Sequence, residues 1–285
     1  MKVENSYRWK SCPLCMSSDI YQIGELSYTG KISFSSVEIE LKNIPEMWKC
    51  QRCRSAFVQN IVAVETARSL YSMGQAGARW PSNDFDKMKT DVVVQIIKNI
   101  FKSGGSVLDI GCNTGELLDL AHDFGCVTSG VEYSSSSRAK LASKGHQAYS
   151  IAEEAPGEFE VITAFDVVEH LYDVPAFLSD CANKLAENGR LVVMTGNVDC
   201  LSAKLSGPRW WYAQFPEHIV FPSTKYFSDY SGLRIEKRIL SYAAKSFEYP
   251  KYMGLLALLN ALLGRRKYTG LPSIVADHVL IVLKK

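Results

Sequence analysis

The chain has 285 residues, 47% of them apolar and 22% charged, with a formal net charge of +2. That is enough apolar mass for one large or two modest packed domains, and too even a charge balance to mark a dedicated binder of polyanions. The opening Met-Lys-Val-Glu-Asn-Ser lacks a secretory apolar core, so a cytoplasmic protein is expected, in which Cys-x-x-Cys pairs favour metal over disulfides.

The first zone, residues 1–54, holds Cys12-Pro-Leu-Cys15 and Cys50-Gln-Arg-Cys53. Four thiolates in tetrahedral array bind a structural Zn²⁺, and a segment this small builds no core without such a clip. The gap between the pairs is longer than the ~15–20 residues of common zinc modules. The alternation in Lys31 to Leu41 predicts a β-hairpin that takes up the excess. Four cysteines leave no open position, which argues against a catalytic zinc; unligated thiols or redox pairs remain the alternative. Cys112, Cys126, Cys181 and Cys200 sit in core-like patterns and read as small apolar fillers.

Residues 55–89 form a connector with Tyr71, two glycines and Trp80-Pro81. From residue 90 to 285, helix and strand patterns alternate, as an α/β domain requires. Thr90 and Asp91 can cap a helix with the stripe Val93, Val94, Ile97, Ile100 and Phe101, which Gly104-Gly105 stops. A strand over 106–110 follows. Asn113 and Glu116, at capping-box spacing, open an amphipathic stretch through Leu117, Leu118, Leu120, Ala121 and Phe124. A strand over 126–131 comes next, then a helix from the serine run 134–137 to near Gly145. Strand pieces at 146–149 and 159–165 precede a helix that Asp173 and Pro175 start and Asn188-Gly189 stops, with Phe177, Leu178, Cys181 and Leu185 inward. Strands over 191–195, 234–240 and 278–284 complete seven. Between the last two lies an insertion, 241–277, whose apolar run Met253 to Leu263 precedes Arg265, Arg266 and Lys267. The run is too short to span a bilayer. It reads as a helix packed on the domain or on a dimer partner, or as an interfacial helix over 253–267 making peripheral membrane contact, which suits a lipid-linked substrate.

The most informative stretch is Val-Leu-Asp-Ile-Gly-Cys-Asn-Thr-Gly at 107–115, followed by Glu132 at the end of the next apolar run. Gly111 and Gly115 remove side chains where backbone must approach a ligand. The acid falls near the roughly 20-residue offset at which a carboxylate meets ribose hydroxyls. Asn113 stands where a dinucleotide fingerprint has its second glycine, and no Gly-Lys-Ser/Thr follows. A ribose-binding acid without a phosphate cradle points to an adenosine cofactor that carries no phosphate; an ordinary strand–turn–helix is the alternative.

This stretch closely resembles motif I of class I S-adenosylmethionine-dependent methyltransferases, with Glu132 in the acidic-loop position. The resemblance implies an α/β fold with a seven-stranded, mostly parallel, Rossmann-like sheet behind a small N-terminal zinc-binding β module. It implies S-adenosylmethionine as donor, contacted by Asp109, Gly111, Cys112, Gly115, Glu132 and Tyr133. Tyr71 then folds over the cofactor like the N-terminal lid of such enzymes, or packs as an ordinary tyrosine.

Ala164-Phe-Asp-Val-Val-Glu-His170 resembles the motif that closes over the adenine edge and methyl group in small-molecule methyltransferases, which adds Asp166 and Val167 to the cofactor side. Asp166 and Glu169 look positional. His170 is a general base, a substrate-binding group, or a helix-start histidine held by backbone bonds. Enzymes that methylate exocyclic nitrogens of bases carry Asn/Asp-Pro-Pro-aromatic here, and cysteine-dependent C5 pyrimidine methylases carry Pro-Cys; both motifs are absent. Residues 208–223 crowd Trp210, Trp211, Tyr212 and Phe215 into one loop before Glu217-His218. The stretch resembles a segment of methyltransferases encoded with surface-glycan and antibiotic-sugar pathways. Its rings stack on sugar faces, exclude water, or merely cover the sheet.

The expected activity is O-methylation of a small molecule or of a sugar unit of a surface glycan or secondary metabolite, with His170 or His218 taking the hydroxyl proton. A ribosomal or transfer RNA methyltransferase is one rival, since zinc ribbons also precede such domains. It requires a basic face, and the even charge speaks against a nucleic-acid partner. A non-catalytic methyltransferase-like scaffold is the other.

Overall fold

The computed structural model describes residues 1–26, 30–73, 100–241 and 277–285, with the side chains of 240 and 241 excepted. Their strands fall into three sheets. β1 (Lys2–Val3), β3 (Lys31–Phe34) and β4 (Val37–Leu41) lie in the order β1-β4-β3. β2 (Ile20–Glu25), β5 (Glu46–Cys50), β6 (Ala56–Gln59) and β12 (Val220–Phe221) lie in the order β12-β6-β5-β2. The large sheet comprises β7 (Ser106–Ile110), β8 (Val127–Val131), β9 (Gln147–Tyr149), β10 (Phe159–Phe165), β11 (Leu185–Gly196), β13 (Arg234–Ser241) and β14 (His278–Lys284), in the order β13-β14-β11-β10-β7-β8-β9.

Strands β11, β10, β7, β8 and β9 run parallel, and β14 inserts antiparallel between β11 and β13. This is the seven-stranded, mostly parallel Rossmann-like sheet expected from the sequence. Its central strands are buried on both faces, which is why they read as near-continuous apolar runs. Alternate residues serve opposite faces: Leu108, Ile110, Ile162, Leu191, Val193 and Ile281 pack on one, and Val107, Val161, Val192, Met194, Leu280 and Val282 on the other.

The first of these cores continues into the N-terminal region, where Cys12, Leu14 and Phe57 join Trp210 and Phe221 in one cluster. β6 follows the second cysteine pair and pairs with β5, and β12 adds a strand from far along the chain. The hairpin expected between the cysteine pairs is β3–β4. It packs with helix Val64–Met73 through Phe34, Ile39, Ala67 and Leu70.

Helix signals held in two places. Ser134 caps Ser135–Ser143 by accepting from the Ser137 amide, and Asp173 caps Val174–Lys184 by accepting from Ala176. They failed in two others. Asn113 does not cap the helix after the bend: that helix starts at Glu116 with Gly115 as its cap, in left-handed conformation and without a side-chain bond. Asn113 is itself left-handed (φ 49°), so it belongs to the turn, and Glu116 accepts from Thr114 instead. Asn188-Gly189 does not stop a helix. The helix ends at Lys184, Leu185 pairs with Phe159, and the Asn-Gly pair marks an irregularity in β10–β11. Leu185 is wholly buried, and tertiary packing overrode local propensity.

The helix expected from Thr90, Trp80-Pro81, and the Met253–Leu263 run with Arg265, Arg266 and Lys267 lie outside the described residues. Among those described, no helix is long and apolar enough to cross a membrane.

Candidate active site

Sheets of this kind bind ligands beyond the carboxyl ends of their strands, where the strand order reverses. Here the reversal lies at β7, between β8 and β10. Gly111 ends β7 in the left-handed region (φ 73°) and is exposed, and a Cβ there would stand 2.7 Å from Val167 Cγ2. Only glycine meets both demands. Gly115 is also left-handed, and a Cβ there would stand 2.4 Å from Leu141 Cδ2. The bend is tied to β8 by the Gly111 and Cys112 amides, which both donate to the Val131 carbonyl.

Glu132 follows β8 and faces this bend. Its Oε2 accepts the Asn113 amide at 3.1 Å and its Oε1 the Ser134 amide at 2.9 Å. Burial raises its pKa, against those amide bonds and the charge of Arg138. Arg138 donates to the carbonyls of Glu132 and Tyr133 and so holds the loop on which the acid sits. Tyr133 projects into solvent, 71% exposed. Cys112 is buried beneath the bend, and so is Asp109, whose Oδ1 accepts from Thr163 Oγ1 at 2.6 Å. Burial pushes Asp109 up to about 7, with repulsion from Glu116 and Glu132 adding to it and the Thr163 bond opposing it. Three carboxylates around one glycine bend make a negative field. That field repels a phosphate and suits a donor bearing sulfonium and ammonium charges, while the exposed, side-chain-free turn admits its nucleoside. These residues therefore fit S-adenosylmethionine: Glu132 would hold ribose hydroxyls, and Gly111 would let the backbone approach.

A second set of groups gathers after β10 and β11. Asp166 is left-handed (φ 52°), and its Oδ1 accepts the Tyr212 hydroxyl at 3.0 Å. Glu169 is wholly buried. Its Oε2 accepts from Thr195 Oγ1 at 2.9 Å, and its Oε1 shares the single Tyr212 hydroxyl proton with Asp166. Burial first, and the Asp166 charge second, push Glu169 up to about 7. Burial likewise raises Tyr212.

The rings of His170 and His218 lie 4.7 Å apart, edge to face. His218 Nδ1 is 2.7 Å from the Tyr212 carbonyl, and His170 Nδ1 is 3.1 Å from the Glu217 carbonyl. A carbonyl only accepts, so in its neutral form each imidazole carries its proton on Nδ1, and Nε2 is the acceptor nitrogen. The Tyr71 hydroxyl stands 3.3 Å from the same His170 nitrogen, which brings the expected lid residue to the histidine pair. Glu169, His170 and His218 place ligand atoms within 4.8 Å of one another, a donor set open to a divalent ion. Both Glu169 oxygens already accept from protein hydroxyls, so the trio also reads as two bases beside a tethered acid.

The aromatic loop divides. Trp210 and Tyr212 are buried in the core, and only Trp211 and Phe215 keep partial exposure. Trp210 therefore covers the sheet, and Tyr212 acts through its hydroxyl. Gly196 makes room for the Tyr212 ring, since a Cβ there would stand 2.1 Å from Cδ1. Sequence reasoning missed Thr195 and the pair Asp277–His278, where His278 Nδ1 lies 3.1 Å from Asp277 and Nε2 lies 3.9 Å from Asp166. An Asp-His dipeptide opening an apolar strand was the available signal.

Cys12, Cys15, Cys50 and Cys53 converge, with Sγ atoms 3.6 Å apart in the pairs Cys12–Cys53 and Cys15–Cys50. These are no disulfides, and the spacing is near the ~3.8 Å edge of a tetrahedron with Zn–S of about 2.3 Å. The two knuckles repeat one geometry. Cys12 N donates to Ser17 O and Cys50 N to Ser55 O, Met16 and Arg54 return to the carbonyls of Cys12 and Cys50, and both are left-handed. Cys12 is pushed up chiefly by its bond to Cys53, and Cys15 by burial. Four sulfurs this close become thiolates together only around a cation. Cys112, Cys126, Cys181 and Cys200 are buried as expected, and Cys200 also caps helix Leu201–Ser206.

A model described as "Methyltransferase domain" matches residues 85–230. The ubiquinone biosynthesis O-methyltransferase of Bradyrhizobium sp. (strain ORS 278) is 42% identical over 104 residues, which cover 33% of this chain and 41% of that protein. The protein of the same name from Bradyrhizobium diazoefficiens is 42% identical over 103 residues, with the same coverage. The chain thus spans about two fifths of the length of these relatives. Among solved structures, a SAM-dependent methyltransferase from Archaeoglobus fulgidus aligns with 70% of this chain and 96% of its own, at 20% identity and a TM-score of 0.47. With half of its length matched by the family model, the chain belongs to the methyltransferase domain family, the S-adenosylmethionine-dependent class I enzymes.

Proposed function

We propose that the protein methylates a hydroxyl oxygen on a small-molecule acceptor, with His218 and His170 as the proton-accepting pair. The observation that carries this reading is the pair itself: two imidazoles 4.7 Å apart, each with Nδ1 on a backbone carbonyl, beyond the strands that carry the donor bend. S-adenosylmethionine supplies an electrophilic methyl group when bound. The protein's share is to hold the acceptor hydroxyl in line and to accept its proton on an imidazole. Tyr212, Asp166 and Glu169 steady the loop on which His218 stands.

The printed name of the relatives, O-methyltransferase, supports oxygen as the methylated atom. Their pathway name supports a phenolic acceptor. The partly exposed Trp211 and Phe215 leave room for a sugar, although burial of Trp210 and Tyr212 removes most of the stacking platform that a sugar of a glycan would use. Both acceptors present a hydroxyl. The cysteine cluster we assign to one structural Zn²⁺, and the region up to residue 54 to the module it organises.

The test is methyl transfer from labelled S-adenosylmethionine to two acceptor panels, catechols and other phenols in one, free and nucleotide-linked sugars in the other. Product carrying an O-methyl group, lost with His218→Ala, is the expected result. Methyl found on nitrogen or carbon overturns the reading. Failure to bind S-adenosylhomocysteine overturns the assignment of the bend.

A further inference from the structure

The segment that carries His218 is bonded to the N-terminal region on both sides of the histidine, while the His218 amide and Nδ1 face the Gln214 and Tyr212 carbonyls of its own loop. Glu217 Oε1 accepts the Ser35 amide at 2.6 Å, across 182 residues of sequence. The Ile219 carbonyl accepts from Val58 N at 2.8 Å. Val220 and Phe221 pair with Phe57 and Ala56 as β12 on β6. Ser223 N donates to Ser55 Oγ, and Ser223 Oγ donates to the carbonyl of the metal-cluster residue Cys53. Between these anchors stand His218 and the Glu217 carbonyl that fixes the His170 tautomer. A second route runs from Phe34, whose ring lies 4.8 Å from Tyr71, to the Tyr71 hydroxyl beside His170.

The Ser35–Ser36 turn has the marks of a placed element. Both residues are left-handed (φ 44° and 72°), as in a two-residue type I′ hairpin turn, where Asn and Gly are the easy choices. Non-glycine residues in that region cost about 1–3 kcal/mol and persist where surroundings over-determine them. Hairpin tips ordinarily meet water, yet Ser35 is buried against Glu217.

We infer that the N-terminal module is the jig for the acceptor-side histidines: Ser35 is a positioning residue, and the four-cysteine cluster sets where segment 217–223 stands. The donor bend is tied to β8 through the Val131 carbonyl and to Glu132 through the Asn113 amide. Module integrity is therefore read at the acceptor end and not at the donor end. The inference rests on assigning His170 and His218 to proton transfer. It is tested on the imidazoles and on amide exchange rather than on turnover, so its failure is distinct from failure of the O-methylation reading.

The experiment uses the full chain. Amide hydrogen exchange is followed before and after metal is drawn off with a thiol-reactive mercurial and chelator, alongside calorimetric titration with S-adenosylhomocysteine. Exchange at 217–223 should rise together with 50–59, by about tenfold or more beyond any rise at 107–118, while the affinity stays within roughly threefold. In parallel, Ser35→Gly keeps the amide and tolerates the turn, whereas Ser35→Val keeps the amide but disfavours the left-handed backbone that aims it. The ¹⁵N signals of His170 and His218 should keep the Nδ1–H tautomer in Ser35→Gly and lose it in Ser35→Val, at unchanged S-adenosylhomocysteine affinity. Exchange at 217–223 that does not respond to metal loss overturns the inference. So does a rise at 107–118 in step with 217–223, or a Ser35→Val spectrum that superimposes on the parent. If Ser35→Val does not fold, the exchange comparison on the parent protein decides.

Discussion

Glu132 reaches back from the end of β8 to accept the backbone amide of Asn113 at 3.1 Å, so the acid and the glycine bend are one rigid unit. Two amides orient the carboxylate before any ligand arrives, which lowers the cost of ordering it on binding. Hydrogen bonds to a charged group contribute about 1.5–3 kcal/mol, so Glu132→Ala should weaken S-adenosylhomocysteine roughly 10- to 100-fold. Glu132→Gln keeps one acceptor and should lose less. Calorimetry checks both, and an unchanged affinity in the alanine variant would detach Glu132 from the cofactor.

Gly111→Ala tests the bend from the backbone side. The new methyl group meets Val167 at 2.7 Å in a left-handed turn, so the turn must shift rather than the side chain. Left-handed strain alone costs about 1–2 kcal/mol. The expected outcome is at least about a tenfold loss of S-adenosylhomocysteine affinity, with a lower melting temperature by calorimetry. Gly104 is also left-handed but open, with nothing within 4 Å of an added Cβ, so Gly104→Ala should alter stability modestly and leave affinity alone.

The two histidines predict a pH profile. In the proposed proton-accepting role each imidazole works only when neutral, so kcat/KM should fall on the acid side of the imidazole pKa and level off above it. His218→Ala and His170→Ala should each lower kcat by about 10²–10⁴ while S-adenosylhomocysteine affinity holds. If the pair acts as a unit, the double variant should be scarcely slower than the worse single one. An acid limb that persists unshifted in the double variant assigns the proton to another group.

The large sheet was legible because strands buried on both faces leave unmistakable apolar runs, and the donor bend because glycines and an acid at fixed spacing have few other uses. The four-cysteine cluster was legible from Cys-x-x-Cys pairing. The false helix cap at Asn113 and the false stop at Asn188 had correct local chemistry, overruled by a turn and by strand pairing that only the fold supplies. The histidine pair was legible as two separate His-containing motifs and not as one site. Ser35, Thr195, Tyr212 and His278 reach that region from four distant segments, and no local pattern announces contacts that long in sequence.

Asp109 should make stability fall with rising pH. Its folded pKa is raised to about 7, above the ordinary 3.8, so the folded protein binds the proton more tightly than the unfolded chain. Stability is then highest below the ordinary value and declines as pH rises through the window from about 4 to 7, levelling off above it. At 1.36 kcal/mol per unit the penalty at pH 8 is on the order of a few kcal/mol. Asp109→Asn keeps an acceptor for Thr163 and removes the charge, so it should be more stable than the parent at pH 8 and no better at pH 4. Urea melts at both pH values check this, and parallel pH curves for the two proteins would refute it.

The cysteine cluster should hold one zinc per chain, and Co²⁺ put in its place should show thiolate charge-transfer absorption with tetrahedral ligand-field bands. The argument is geometric and electrostatic together. Sulfurs 3.6 Å apart match a tetrahedral edge, and their negative charges are tolerable only with a cation at the centre. Cys50→Ser replaces a buried soft ligand with a hard, weak one, so metal content should fall well below one per chain and the melting temperature should drop. Because Cys12, Cys50 and Cys53 lie in the same core as Leu108 and Ile162, the loss should not melt a separate small unit. Calorimetry should show a single transition, lowered as a whole. Two resolved transitions would mean that the module and the sheet fold independently in spite of their common core.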